Sequence, residues 1–224
     1  MDKFLIKGPC KVKGTVNISG SKNASLPILA ASILFDEMVE IKNLPNVRDI
    51  DTMLSLIKSL GFNVKQNKNS NSVVIKKSKK INTFASYSLV KTMRAGILVL
   101  GPLITKFGKA KTSLPGGCLI GARPINYHLN ALKKLGMNYK IEKGYVNAFA
   151  KSKLTGSNIF FPKISVGATE NAILAATLAN GKTILKNCAI EPEIKNDLTN
   201  FLNQAGAKIK WIGKRTVEIK GVKS

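Results

Sequence analysis

The 224-residue sequence has few of the residues on which several common kinds of site depend. It contains a single histidine, His128, and only three cysteines, Cys10, Cys118 and Cys188, which lie far apart. An odd number of distant cysteines argues against a disulfide framework and against a Cys-x-x-Cys metal site, and a single histidine argues against a histidine-rich one. We therefore expect neither a metal nor a cofactor, and we expect Cys10 and Cys188 to be small buried hydrophobic residues.

Long apolar runs and aromatic residues are also scarce. No stretch of 18 apolar residues occurs, so the sequence predicts no membrane span and no membrane partner. The first residues, MDKFLIKGPCKVKG, contain no apolar signal core, and we expect a cytoplasmic protein. Aromatic residues make up 6% of the chain and form no RNA-binding motif, whereas the 44% hydrophobic content is enough for a sizeable core.

Acidic residues are few, 12 against 36 basic ones, so the net charge is +24. A basic chain suggests anionic partners, either nucleic acid or phosphorylated small molecules. The lysines are spread evenly and form no block, which indicates a compositional bias; nucleic-acid binding is therefore the less favoured alternative. Only four basic residues are arginines, whose forked donors suit carboxylate and phosphate groups: Arg48, Arg94, Arg123 and Arg215.

One pattern of about 70 residues occurs three times along the chain. In each copy, apolar residues at helical spacing run to a glycine, the expected helix stop, and two alternating strands joined by a polar turn follow. A short strand and a helix rich in Ala, Leu and Ile precede this segment. The helix-to-hairpin segments are Met53–Lys77, Leu129–Lys151 and Leu198–Gly221, and the apolar helices are predicted at Asn23–Phe35, Val90–Ile104 and Val166–Asn180.

The repeat predicts one domain of three helix–strand–helix–hairpin units over residues 21–224. Because helices that are apolar on all sides are buried, we expect the three apolar helices at the centre and the sheets outside. Residues 1–20 lie outside the repeat, and FLIKG and GTVNISG within them indicate two short strands with little cover. The units are placed at about 21–88, 89–155 and 156–224.

Four stretches of the chain resemble motifs of the enolpyruvyl transferase family, in the family's order. They resemble the branch that acts on a nucleotide sugar more closely than the branch that acts on shikimate phosphate. The resemblance implies an inside-out α/β barrel fold of two three-unit domains. It implies that residues 1–20 are strands of a second domain, which is otherwise missing. The four stretches are Ser19–Leu29, Leu89–Leu103, Ser113–Pro124 and Lys163–Ala179.

The reaction implied by the resemblance is transfer of enolpyruvate from phosphoenolpyruvate to the 3-hydroxyl of UDP-N-acetylglucosamine, with release of phosphate. It is the first committed step of peptidoglycan synthesis. The family's site lies between its two domains, so the resemblance also allows a second polypeptide to supply the missing domain. A truncated half that binds the nucleotide sugar without turnover is the alternative.

Lys22 and Asn23 resemble the family's phosphoenolpyruvate-binding pair, although SKNAS is equally typical of a helix start capped by Ser21 or Asn23. Arg94 lies on a predicted apolar helix, where a buried charge needs a partner. With so few acidic residues in the chain, we predict that this partner is an anionic substrate, and the alternative is a structural ion pair.

Cys118 lies in the loop SLPGGCLIGARP, where tight packing is not expected. The resemblance implies that its thiol is the proton donor, and that the antibiotic fosfomycin alkylates it. It also implies that Arg123 contacts phosphoenolpyruvate.

The resemblance further assigns contacts with the nucleotide sugar to two short segments and two arginines. Asn126 stands where the family usually has an aspartate, so a charge is lost there. The second segment, KISVG, is alternatively an ordinary turn between a strand and a helix. The residues in question are Arg94, Arg123, Pro124, Ile125, Asn126, Tyr127, Lys163, Ile164, Ser165, Val166 and Gly167.

Overall fold

The three predicted units are present in the computed structural model, which describes residues 3–116 and 124–223. The first unit contains α1 (Lys22–Ala31), a 3-10 turn (Ser32–Leu34), β1 (Val39–Ile41), α2 (Arg48–Ser59), β2 (Phe62–Asn67) and β3 (Ser72–Lys77). The second contains β4 (Phe84–Ala85), α3 (Tyr87–Val90), a 3-10 segment (Arg94–Val99), α4 (Leu100–Phe107), β5 (Lys109–Ser113), α5 (Asn126–Lys134), β6 (Met137–Glu142) and β7 (Tyr145–Ala150). The third contains β8 (Asn158–Phe160), α6 (Val166–Ala176), β9 (Lys182–Lys186), a π-helical turn (Glu193–Leu198), α7 (Thr199–Gln204), β10 (Lys208–Gly213) and β11 (Thr216–Lys220).

Each unit forms its own sheet by the same pairing rule. The strand after the buried helix pairs antiparallel with the second hairpin strand, which pairs antiparallel with the first. In the second and third units a short parallel strand, β4 or β8, extends the sheet. Among the described residues the first sheet has no such strand, and none of the three sheets closes into a barrel.

The buried helices α1, α4 and α6 meet at the centre of the molecule, as predicted. Every residue of α6 from Ala168 to Ala176 is buried, because this helix is packed on all sides. The helix-stop glycines Gly61, Gly136 and Gly206 have φ angles of +91°, +107° and +97°. Glycine adopts this left-handed backbone without the steric cost that a Cβ would add, which explains why a glycine follows the helix in each unit.

The second buried helix differs from its prediction, because Val90–Ile104 is not one continuous helix. The backbone here is a 3-10 segment followed by α4, and the junction packs closely on α6. A Cβ on Gly101 would collide with Oδ1 of Asn171. The Gly101 N–H instead donates to that oxygen at 2.7 Å, and Asn171 Nδ2 donates to the Ile97 carbonyl at 3.0 Å.

Residues 3–20 also differ from their prediction. They contain no strand, and residues 3–19 are exposed, including the apolar side chains of Phe4, Leu5 and Ile6. Cys10 is exposed too, so its assignment as a buried residue is wrong, whereas Cys188 is buried as expected. Membership of residues 1–20 in a second domain stays a prediction. Within residues 3–116 and 124–223, no helix combines the length and the apolar character that crossing a membrane requires.

We predict that Asn171→Leu lowers the free energy of unfolding by about 1–3 kcal/mol, because it leaves the buried Gly101 N–H without its acceptor and leaves the Ile97 carbonyl with only the Leu100 N–H as donor. Urea unfolding followed by circular dichroism measures this change. Asn130→Leu, on the exposed face of α5, is the control and should change stability by less than about 0.5 kcal/mol. Equal stability of the two variants would contradict this role of Asn171.

Candidate active site

A pocket of about 610 Å³ opens where the N-termini of α1 and α6 approach each other. Its wall combines the first turns of both helices with the 3-10 segment, α5 and the loop before the π-helical turn. Seven of the residues predicted from sequence lie together in this wall: Lys22, Asn23, Arg94, Ile164, Ser165, Val166 and Gly167.

The two helices begin in the same way, because an N-cap serine and the four residues after it follow one pattern, SKNAS at α1 and SVGAT at α6. The Ala24 N–H donates to Ser21 Oγ at 3.3 Å, and the Ala168 N–H donates to Ser165 Oγ at 3.4 Å. The serines satisfy one backbone donor each, and the remaining first-turn N–H groups are free of intrahelical partners. Two helix N-termini directed at one pocket favour an anionic ligand.

Lys22 and Arg94 bring positive charge to this pocket. The Lys22 ammonium forms an ion pair with Asp49 on α2, with Nζ 3.0 Å from Oδ2. Both side chains are partly exposed, so the pair adds little to stability. An anion entering the pocket would compete with Asp49 for the Lys22 ammonium.

Four of the twelve acidic residues of the chain also line this pocket: Asp49, Glu170, Glu191 and Glu193. Glu170 is 5% exposed, and burial raises its pKa to about 8, with smaller contributions from the charges of Glu191 and Glu193. At neutral pH the Glu170 carboxyl is therefore mostly protonated and can donate a hydrogen bond. The pocket thus carries charges of both signs, whereas the charged residues predicted for it from the sequence, Lys22 and Arg94, are both cations.

His128 reaches the pocket from the first turn of α5 and is 3% exposed. Burial and, to a smaller extent, the nearby Arg94 guanidinium together lower its pKa to about 4, so the ring is neutral near pH 7. The ring lies against Gly167, where a Cβ would be 3.0 Å from Cε1 of the histidine. Because Gly167 has no Cβ, the His128 ring can pack against α6 at this point of the pocket wall.

Several predicted residues lie elsewhere. Pro124, Asn126 and Lys163 are exposed, Ile125 is buried where α5 begins, and Tyr127 is half-buried; none of them lines this pocket. Cys118 and Arg123 lie outside the described residues.

The residues missed from the sequence are His128, Asp49, Glu170, Glu191 and Glu193. Of these five residues, only Glu170 could have been recognised from the sequence, because a carboxyl group on an otherwise apolar helix needs an explanation.

Three sheets around central helices, with a polar pocket at the helix N-termini, define an inside-out α/β domain of the enolpyruvyl transferase type. The family described as EPSP synthase (3-phosphoshikimate 1-carboxyvinyltransferase) matches residues 6–224, and the chain belongs to this family.

Solved structures share the fold at low sequence identity. The enolpyruvyl transferase NikO from Streptomyces tendae superposes with a TM-score of 0.79 at 19% identity, over 94% of this chain and 48% of that one. EPSP synthase from Acinetobacter baumannii superposes with a TM-score of 0.72 at 19% identity, over 93% and 47%.

Curated relatives are much more similar in sequence. UDP-N-acetylglucosamine 1-carboxyvinyltransferase from Pelagibacter ubique is 62% identical over 222 residues, which are 99% of this chain and 52% of the relative. The protein of the same name from Pseudoalteromonas atlantica is 52% identical over 222 residues, with the same two shares. The chain therefore spans about half the length of the curated relatives that it matches.

We predict that the wild-type protein loses stability as the pH rises from about 6.5 to 8, by as much as about 2 kcal/mol. In that range the folded state keeps the Glu170 proton that the unfolded state has lost, so raising the pH favours unfolding. The lowered pKa of His128 changes the free energy of unfolding only below about pH 6.5, where the imidazole of the unfolded state binds a proton.

Glu170→Gln should remove most of this pH dependence and should be more stable than the wild type at pH 8. Urea unfolding at several pH values measures the effect. Glu37→Gln, on the exposed surface, is the matched control and should keep the wild-type slope. A Glu170→Gln variant with the wild-type slope would show that another group is responsible.

Proposed function

We propose that this chain is the three-unit half of a UDP-N-acetylglucosamine 1-carboxyvinyltransferase and acts in peptidoglycan synthesis in the cytoplasm. The observation that carries the proposal is the meeting of Lys22, Asn23 and Arg94 with the N-terminus of α6 in one pocket. The names of relatives at 62% and 52% identity support the choice of substrates.

The proposed reaction is an addition followed by an elimination. The 3-hydroxyl of the sugar loses its proton as its oxygen attacks C2 of phosphoenolpyruvate, while C3 gains a proton and becomes a methyl group. The methyl group then loses a proton, the double bond re-forms and phosphate leaves. Such a site must hold two anions, deliver and remove a proton at carbon, and exclude water.

Lys22 and Asn23 are proposed to bind phosphoenolpyruvate, because both are in the first turn of α1 and line the pocket. The Lys22 ammonium leaves Asp49 and pairs with the incoming anion, and Asn23 supplies amide hydrogen bonds. Arg94 and the segment Ile164–Gly167 are proposed to bind the diphosphate of the nucleotide sugar, where the N-terminus of α6 offers free N–H groups.

The loop residues have proposed roles that rest on the resemblance of their motif. Cys118 donates the proton to C3 and is the residue that fosfomycin alkylates. Arg123 contacts phosphoenolpyruvate and the nucleotide sugar. Pro124, Ile125, Asn126, Tyr127 and Lys163 are proposed to contact the nucleotide sugar beyond the pocket wall.

The chain matches only about half the length of its curated relatives, and this favours a second candidate function, which is binding of the nucleotide sugar without turnover. In the relatives, residues beyond the region matched here make up almost half of the protein. We propose that turnover needs those residues, either in the same protein or from a second polypeptide, because a cleft with one wall does not exclude water.

Calorimetry with UDP-N-acetylglucosamine and phosphoenolpyruvate tests the binding. We expect Lys22→Gln to weaken phosphoenolpyruvate binding about tenfold or more, because a charge-assisted hydrogen bond is lost. The control is Lys42→Gln, an exposed lysine paired with Glu40, which should bind like the wild type. Absence of binding by the wild type would overturn both candidate functions.

Phosphate release distinguishes the two candidates. The transferase predicts release from phosphoenolpyruvate only when UDP-N-acetylglucosamine is present, alone or after addition of the second half of a close relative. Cys118→Ser should lower this rate by about a hundredfold or more, as expected for a lost proton donor. Binding without release under either condition would support the binding-only candidate.

A further inference from the structure

The side-chain amide of Asn171 has an orientation that its neighbours fix. The Gly101 N–H can only donate, and it lies 2.7 Å from Oδ1; the Ile97 carbonyl can only accept, and it lies 3.0 Å from Nδ2. Oδ1 and Nδ2 therefore cannot be exchanged, and the second hydrogen of Nδ2 is directed towards His128 Nδ1, 3.1 Å away.

This contact determines which nitrogen of His128 carries the proton. Nδ1 receives a hydrogen bond from Asn171, so it must present its lone pair. In a neutral imidazole the proton is then on Nε2. Among the described residues no hydrogen bond to Nε2 is found; the residue is 3% exposed, and Nε2 is not one of the fully enclosed polar atoms without a partner.

The Nε2–H faces the first turn of α6. A Cβ added at Gly167 would lie 3.3 Å from Nε2 and 3.0 Å from Cε1, so the free edge of the ring lies directly beside the helix N-terminus. His128 and Gly167 both line the pocket. The Nε2 donor of a largely buried side chain and the free N–H groups of the first turn therefore converge on the same space, which suits an anionic oxygen.

We propose that His128 is a further ligand-binding residue of this pocket, which donates a hydrogen bond from Nε2 to an oxygen of the anion bound at the N-terminus of α6. Asn171 is the positioning residue that keeps the proton on Nε2. The inference rests on the proposed function for the identity of the anion, which is the diphosphate of the nucleotide sugar. A neutral donor gives directional recognition without placing another cation beside Arg94.

The tautomer is directly measurable because the sequence contains only one histidine. In a ¹⁵N-labelled protein without a histidine tag, every imidazole signal belongs to His128. We expect a long-range ¹H–¹⁵N spectrum near neutral pH to show a protonated Nε2 and an unprotonated Nδ1. A proton on Nδ1, or averaged signals from two tautomers, would overturn the role assigned to Asn171.

The binding role is tested with His128→Phe and His128→Gln. Phenylalanine keeps a flat ring but no donor, and we expect calorimetry to show roughly ten- to a hundredfold weaker binding of UDP-N-acetylglucosamine. Glutamine places an amide N–H near the position of Nε2 and should restore most of the affinity. Asn130→Leu, on the exposed face of the same helix, should bind like the wild type. Circular dichroism and thermal unfolding of each variant establish that it is folded.

The outcomes separate this inference from the proposed function. Wild-type binding that His128→Phe leaves unchanged would overturn the inference while the proposed function stands. If the wild type does not bind the nucleotide sugar, the proposed function fails, and inorganic diphosphate becomes the probe. A shift of the His128 Nε2–H signal on adding diphosphate would then support the anion contact, and an unchanged signal would overturn it.

Discussion

The buried side-chain amide of Asn171 joins the parts of the molecule that form the site. Its hydrogen bonds connect α6 to the 3-10 segment, to the start of α4 and to His128 on α5. Each partner is a polar group on a buried residue, and its hydrogen bond to Asn171 holds the three elements in one arrangement. Close approach is possible because Gly101 has no side chain to meet the amide. The same amide that joins the buried elements of the core therefore also orients His128 in the pocket.

The pocket itself follows from the threefold repeat. Repetition of one unit brings the buried helices to the centre, and in the first and third units a serine begins the helix in the same way. Helix ends that gather at a centre bring their unpaired N–H groups together, so the architecture itself produces a space that favours an anion. The second unit departs from the pattern with a 3-10 segment and contributes Arg94 there.

Acidic residues in this pocket have a physical explanation despite the basic character of the chain. Asp49 holds the Lys22 ammonium before a ligand arrives, which limits repulsion between the cations of the wall. Glu170 is buried among other carboxyl groups and keeps its proton at neutral pH, so it adds a donor and no charge. The charged groups of the wall are then Lys22 and Arg94 together with Asp49, Glu191 and Glu193, beside the two helix ends.

The sequence by itself determined the units, the buried helices and the hairpins, because periodicity, stop glycines and serine caps act within a few residues. It also placed Lys22 and Ser165–Gly167 at helix starts. Only the tertiary structure decided what these residues face. His128 and Asn171 are 43 positions apart, and Gly101 and Asn171 are 70 positions apart. Their pairing, the break in the second helix and the pKa values of His128 and Glu170 depend on burial between units, which no local pattern encodes.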